Sequence, residues 1–345
     1  MVCEMASCMR RAEGVRGSAR PWAQARVHAA REALAECRLC TFECGVDRRS
    51  GPAGICRADA VSRVFHEGIE WAGESALVPT YVVSLSGCNM ACSFCLTGES
   101  SQDARAGSAL DADALAARIG ERVGEIRSVT LLGGEPSIHL DGALEIAARV
   151  PRGLKFVWKT NAISSPQALD LLEGVPDVVL ADYKFGNDRC AETLARIPKY
   201  TETVRRNLRW AARTSTLIVR HLLMPGHVEC CFAPVADWMA EELPQVPLSL
   251  MTGFLPVFRA SDDPTLGRTN RADERRRAAG IVRERKIRLM PWKIDPRPPV
   301  RSSSPDEIWI DRDGTVLADS ASGALAAALA RLQLEFALDS GRIGP

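Results

Sequence analysis

No cysteine lies beyond Cys231, and no stretch of the chain approaches the roughly 18 uninterrupted apolar residues that a membrane-spanning helix needs. An excess of charge is missing too. The 44 Lys and Arg against 43 Asp and Glu leave a net charge of +1, so no bulk field recruits nucleic acid or an anionic membrane. The N-terminal run MVCEMASCMRRAEGVRGSARPW has no apolar core and carries Glu4 and Glu13 among its arginines. It therefore reads neither as a secretory signal nor as a transit peptide. What remains is ordinary globular composition, 46% hydrophobic and 25% charged, in 345 residues, enough for one large or two modest domains.

The twelve cysteines are unevenly spread. Three sit in one short segment (Cys88, Cys92, Cys95) and four in another (Cys37, Cys40, Cys44, Cys56); the rest are Cys3, Cys8, Cys190 and the pair Cys230–Cys231. A secreted disulfide scaffold would be shorter and more evenly stapled. A reducing cytoplasm is the expected compartment, and there clustered cysteines indicate metal.

From residue 80 onward, apolar runs alternate with helical periodicity. Strand candidates 81–87, 128–134, 154–160, 177–184, 216–223 and 247–253 are separated by helix candidates near 109–125, 139–150, 165–174, 200–213 and 229–242, and a charged helix follows near 270–286. Asp111 is placed to cap the first of these helices. Six strands alternating with helices predict an α/β fold of parallel βαβ units, and pattern alone leaves both a doubly wound sheet and a full or partial barrel open. In either, chemistry belongs at the C-terminal strand ends, which here carry Cys88, Glu135, Asn161, Asp182, Lys184 and His221. Upstream, 22–36 reads as a helix and VSRVFHE as a strand. Past residue 295 the run PRPPVRSSSPD reads as a linker, 307–319 as a hairpin turning on Asp313-Gly314, and 324–338 as an amphipathic helix. The organisation expected is an arm and helix (1–35), a Cys-rich metal-binding segment (36–78), a core domain (79–295) and an extension (296–345).

The segment LSGCNMACSFCLT spaces its cysteines Cys88-x3-Cys92-x2-Cys95. Three thiolates on a [4Fe–4S] cubane leave one iron open to an exogenous ligand. The competing readings are a zinc site completed by a distant residue, and an electron-transfer cluster completed by another cysteine. Cys37-x2-Cys40-x3-Cys44-x11-Cys56 has the ligand count of a closed site, and spacing does not choose between zinc and an iron–sulfur cluster. Cys230 and Cys231, adjacent on a helix, would point about 100° apart and read as packing residues.

The triplet after the first strand and Gly133-Gly134-Glu135-Pro136 after the second resemble the radical S-adenosylmethionine (SAM) superfamily. Within it the chain is similar to relatives of the pyruvate formate-lyase activating enzyme, in particular the PflX-type branch, through CRLCTFECGVDR, GGEP, ADYK and RHLLMPG. It departs from relatives at Cys95-Leu96-Thr97 and at ESALVPT.

The resemblance implies a partial (β/α)6 barrel of the radical SAM type, a [4Fe–4S] cluster and S-adenosyl-L-methionine. SAM would be cleaved reductively to a 5′-deoxyadenosyl radical that abstracts hydrogen from a substrate. Gly133, Gly134 and Glu135 would contact the methionine amino group, Asp182 and Lys184 the methionine or ribose, with Asn161 and His221 as further cofactor contacts. A strand-to-helix turn and a local ion pair are the plainer readings of GGEP and of Asp182–Lys184. An electron donor such as flavodoxin or ferredoxin is implied, and the substrate would be a glycyl radical enzyme or another protein. The alternatives are radical modification of a peptide or small molecule and, from another class, a non-enzymatic iron–sulfur or zinc protein that carries electrons or scaffolds a complex.

Overall fold

The computed structural model describes residues 20–294 and two short strands, Ile308–Ile310 and Val316–Ala318, which pair antiparallel. Ten strands lie in the first part: β1 Arg63–Glu70, β2 Ala72–Glu74, β3 Thr80–Leu85, β4 Ser108–Ala109, β5 Ser128–Gly133, β6 Lys155–Thr160, β7 Val178–Asp182, β8 Thr216–Leu222, β9 Leu248–Met251 and β10 Trp292–Ile294. The helices are α1 Ala23–Glu32, α2 Gly98–Gln102, α3 Ala112–Glu121, α4 Leu140–Arg149, α5 Pro166–Leu172, α6 Asp188–Ala195, α7 Tyr200–Thr214, α8 Ala233–Glu242 and α9 Ala272–Glu284.

One sheet holds eight strands in the order β4-β1-β3-β5-β6-β7-β8-β9. From β3 to β9 every pairing is parallel, and the order follows the chain without reversal. A doubly wound sheet reverses at a switch point, so that alternative is excluded. Right-handed crossovers that always advance in one direction put their helices on a single face and curl the sheet. Among the described residues the far edge of β9 meets no strand, only an isolated parallel bridge from Leu248 to Leu289, so the curl stays open and the fold is the expected partial barrel of six βα units. Antiparallel β1 and β4 extend it past β3, and β10 returns to pair with β2.

Local chemistry explains the boundaries. Asp111 caps α3 by accepting from the backbone of Asp113 and Ala114, and Ser165 caps α5 with Pro166 at its first position. All six residues of β3 are buried, as expected for a strand covered on both faces. Phe156, Trp158, Val179, Ala181, Leu217 and Val219 belong to the main core, whereas Val157, Val178, Leu180 and Ile218, on the opposite strand faces, close a smaller cluster with Leu77.

Two elements differ from expectation. Helix α6, capped by Asn187, occupies a stretch with no assigned helix. The helix expected from 229 begins instead with a π-turn over Val228–Phe232, and α8 follows it. Arm residues 1–19, the Asp313-Gly314 turn and the helix expected at 324–338 lie outside the described residues.

Candidate functional site

The triplet loop leaves β3 at Ser86-Gly87. The backbone N–H groups of Ala91 and Ser93 donate to the carbonyls of Ala195 and Leu194 at 3.1 and 2.9 Å, groups that the C-terminus of α6 would otherwise leave unsatisfied. Phe94 anchors the loop from within, its ring 6.0 Å from that of Phe185 and 6.1 Å from that of Phe254. The three thiols converge closely enough to act on one another electrostatically. Burial pushes Cys88 well above the ordinary thiol value and Cys92 up to about 12. Donors surround the sulfurs: Met90 N at 3.4 Å and Asn161 Nδ2 at 3.9 Å from Cys88 Sγ, and the Ser101 hydroxyl 3.1 Å from Cys95 Sγ.

Gly133 and Gly134 meet this loop edge-on. Gly134 N donates to Leu85 O at 2.8 Å and Glu135 N to Gly87 O at 3.0 Å. A Cβ on Gly134 would stand 1.8 Å from Gly87 O, and one on Gly133 2.0 Å from Leu85 O, at a φ of +143°. Only glycine permits that approach. Glu135 is fully buried and accepts three hydrogen bonds, from Ser137 N (3.1 Å), the Thr160 hydroxyl (2.8 Å) and Asn161 N (2.8 Å). It thus ties the end of β5 to the end of β6. Asn161 in turn donates to Asn89 Oδ1 at 2.8 Å.

Asp182 and Lys184 form an ion pair. Arg220, opposite Asp182 in register, approaches it at 3.9 Å and reaches Glu74 at 3.3 Å; Glu74 also accepts from Ser249 at 2.8 Å. Burial raises the Asp182 carboxyl, but Lys184, Arg220 and Lys159 together outweigh it and hold the group below its usual range. His221 follows Arg220 on the strand and so faces the other way. Its Nδ1 meets Tyr183 O at 2.7 Å and its ring lies 5.2 Å from that of Phe232, while Nε2 has no hydrogen-bond partner among the described residues. His221 is therefore not brought onto the face shared by Asp182 and Arg220.

The quartet precedes β1. Cys37 and Val46 bridge a tight loop, and Cys37, Cys40, Cys44 and Cys56 all line one cavity, with Arg48 and Ile138. Arg48 is 1% exposed. Its guanidinium donates to Ala58 O (3.1 Å), Asp59 O (2.7 Å) and Ile138 O, and its Nη1 lies 3.8 Å from Cys37 Sγ. Among the described residues no carboxylate lies within ion-pair distance of it. The segment packs onto the loop after β6, with Cys40 bridging Ser164 and Thr41 N donating to Ile163 O at 3.0 Å. The Asn89 amide stands beside the Cys40 thiol, which burial pushes up to about 12. The two cysteine groups therefore share a wall.

Residues 82–239 match the radical SAM superfamily. They form a radical SAM domain. The chain is also 27% identical over 271 residues to an uncharacterised protein, MJ0674, of Methanocaldococcus jannaschii, covering 77% of this chain and 79% of that one. SuiB of Streptococcus suis, solved with S-adenosylmethionine bound, is similar at 12% identity and a TM-score of 0.44, over 59% of this chain and 47%, about half, of SuiB. A domain of pyruvate-formate lyase-activating enzyme from Bacteroides vulgatus is similar at 21% identity and a TM-score of 0.39, over 47% of this chain and 96% of that domain.

The domain implies an enzyme with a [4Fe–4S] cluster and SAM, and the donor set fits the cluster. Three soft thiols with N–H and O–H groups aimed at two of the sulfurs are suited to thiolate ligands, which metal binding deprotonates. Sequence reasoning missed Asn89, Arg48, Glu74 and Arg220. Asn89 and Arg48 stand inside quoted motifs but carry no metal-ligand chemistry to single them out. Glu74 is far in sequence from the strand ends it meets. No helix among the described residues is long and apolar enough to cross a membrane.

Proposed function

We propose that this protein is a radical SAM enzyme whose cluster ligands are Cys88, Cys92 and Cys95, that the quartet holds a second metal, and that the radical acts on a partner protein in the manner of a glycyl-radical-activating enzyme. When bound, the cluster and SAM supply one-electron cleavage of the sulfonium and a 5′-deoxyadenosyl radical. The chain's own residues hold and shield that chemistry. Glu135 fixes the strand end beside the triplet, Asn161 and Asn89 set the loop, and the Lys184–Asp182–Arg220 group presents fixed charge on the inner face of the sheet.

The observation carrying the first part is the convergence of three buried or half-buried thiols against the GGE turn. The second metal is supported by Arg48, a buried cation whose Nη1 lies 3.8 Å from Cys37 Sγ and whose charge acts on Cys56; a four-thiolate metal site is anionic and would balance it. The partner-protein substrate is supported by the motif resemblance over residues 36–260, which also favours a flavodoxin or ferredoxin reductant and a cytoplasmic setting. The test is anaerobic reconstitution of the full chain, with iron and zinc counted, followed by reductant and SAM. Equal amounts of methionine and 5′-deoxyadenosine are expected, and their absence from iron-loaded protein overturns the reading. Metal bound in a Cys88, Cys92 and Cys95 triple variant supports the second site, and none above background removes it.

A further inference from the structure

Cys190 lies in the first turn of α6, and His227 and Cys230 lie at the π-turn that precedes α8. Their ligand atoms all fall within 4.8 Å of one another, with Cys190 Sγ 3.9 Å from Cys230 Sγ. Two thiolates bound tetrahedrally at about 2.3 Å from a zinc ion stand about 3.8 Å apart, so the observed pair already has the spacing that one ion requires.

The surroundings complete the arrangement. His227 Nδ1 faces Pro225 O at 2.8 Å and must donate there, which leaves Nε2 as the nitrogen with a free lone pair. Asn187, the cap of α6, accepts from Cys190 N at 2.8 Å, while its Nδ2 donates to Cys230 O and lies 3.2 Å from Cys190 Sγ. It therefore fastens the helix to the turn and supports charge on the sulfur. The π-turn is what makes this possible. His227 O accepts from both Cys231 N and Phe232 N, and the wider winding reduces the angle between successive side chains. Cys230 and Cys231 sulfurs end 4.0 Å apart, with Cys231 buried in the core as expected and Cys230 exposed, contrary to its reading as a packing residue.

We propose that Cys190, His227 and Cys230 form a binding site for a thiophilic divalent cation, zinc being the ion of matching chemistry, with solvent at the fourth position. The site is separate from both cysteine clusters and does not rest on the SAM reading. It staples α6, whose last carbonyls hold the triplet loop, to the π-turn.

The test is alkylation of the full-length, reductant-treated protein, with and without added zinc, followed residue by residue by mass spectrometry. Zinc should slow labelling of Cys190 and Cys230 together, roughly tenfold or more, because coordination draws the thiolate's electron density into the metal–sulfur bond and blocks access to it. A chelator should restore the rate. His227→Ala should lose the protection of both cysteines, and Cys190→Ser that of Cys230, with the circular dichroism spectrum of each variant unchanged as the check that it folds. Labelling indifferent to zinc overturns the proposal, and so does protection that survives His227→Ala.

Discussion

Asn161 Nδ2 donates to Asn89 Oδ1 at 2.8 Å, and this bond joins the end of β6 to the triplet loop. The same amide lies 3.9 Å from Cys88 Sγ, and Asn89 faces Cys40 on its other side. Asn161→Ala leaves a buried carbonyl without its donor, a loss of about 1–3 kcal/mol. Chemical denaturation should show that loss, and the variant should load less iron under the same reconstitution. Unchanged stability with full iron would remove Asn161 from the wall between the two cysteine groups.

Glu135 separates a ligand role from a framework role. Its carboxylate satisfies three buried donors, so Glu135→Ala should cost at least about 3 kcal/mol and lower the thermal midpoint and iron content together. A variant that keeps native stability and full iron but binds SAM weakly would instead make Glu135 a direct cofactor contact.

Much of this was legible in the sequence. Parallel βα alternation, the Asp111 cap and the six strand ends follow from periodicity and local chemistry, because each is fixed within about fifteen residues. The barrel was not separable from a doubly wound sheet, since strand order is a long-range property. Helix α6 escaped notice because DRCAETLA is only 8 residues long, too short for a helical period to stand out, and is held by Asn187 and by the loop it docks. The π-turn escaped notice because its i to i+5 bonding leaves no compositional trace. His221 sits at a strand end as expected, but strand parity sends it away from Asp182 and Arg220.

Arg48 makes a sharp test of the quartet. Arg48→Met keeps the volume but deletes donors to three carbonyls and the charge beside Cys37 and Cys56. The variant should lose the metal of the quartet while the iron of the triplet persists. Arg48→Lys should not restore it, since a point ammonium does not reproduce the planar fork. Metal analysis that finds both sites full in Arg48→Met would show that the guanidinium is only a packing element.

His139 predicts acid sensitivity. It is 1% exposed, and burial, with the Arg48 charge nearby, lowers it to about 3. The unfolded chain, with a histidine near about 6.5, takes up the proton first, so this contribution is complete above that value. It is lost progressively as pH falls from about 6.5 toward about 3 and amounts to a few kcal/mol in all. His139→Gln, which keeps a donor for Ser86 O, should flatten that part of the stability–pH curve measured by urea unfolding. A slope in the variant equal to that of the wild type would show that His139 does not carry it.

The central claim is that the triplet holds the cluster that cleaves SAM. The direct measurement is 5′-deoxyadenosine formed by anaerobically reconstituted Cys92→Ala beside the wild type, with dithionite and SAM supplied to both. Cys92 is buried and is one of the three ligands proposed, so its loss would leave two cysteines for the cubane. The account predicts product from the wild type and none above background from the variant. Undiminished product from Cys92→Ala would contradict it.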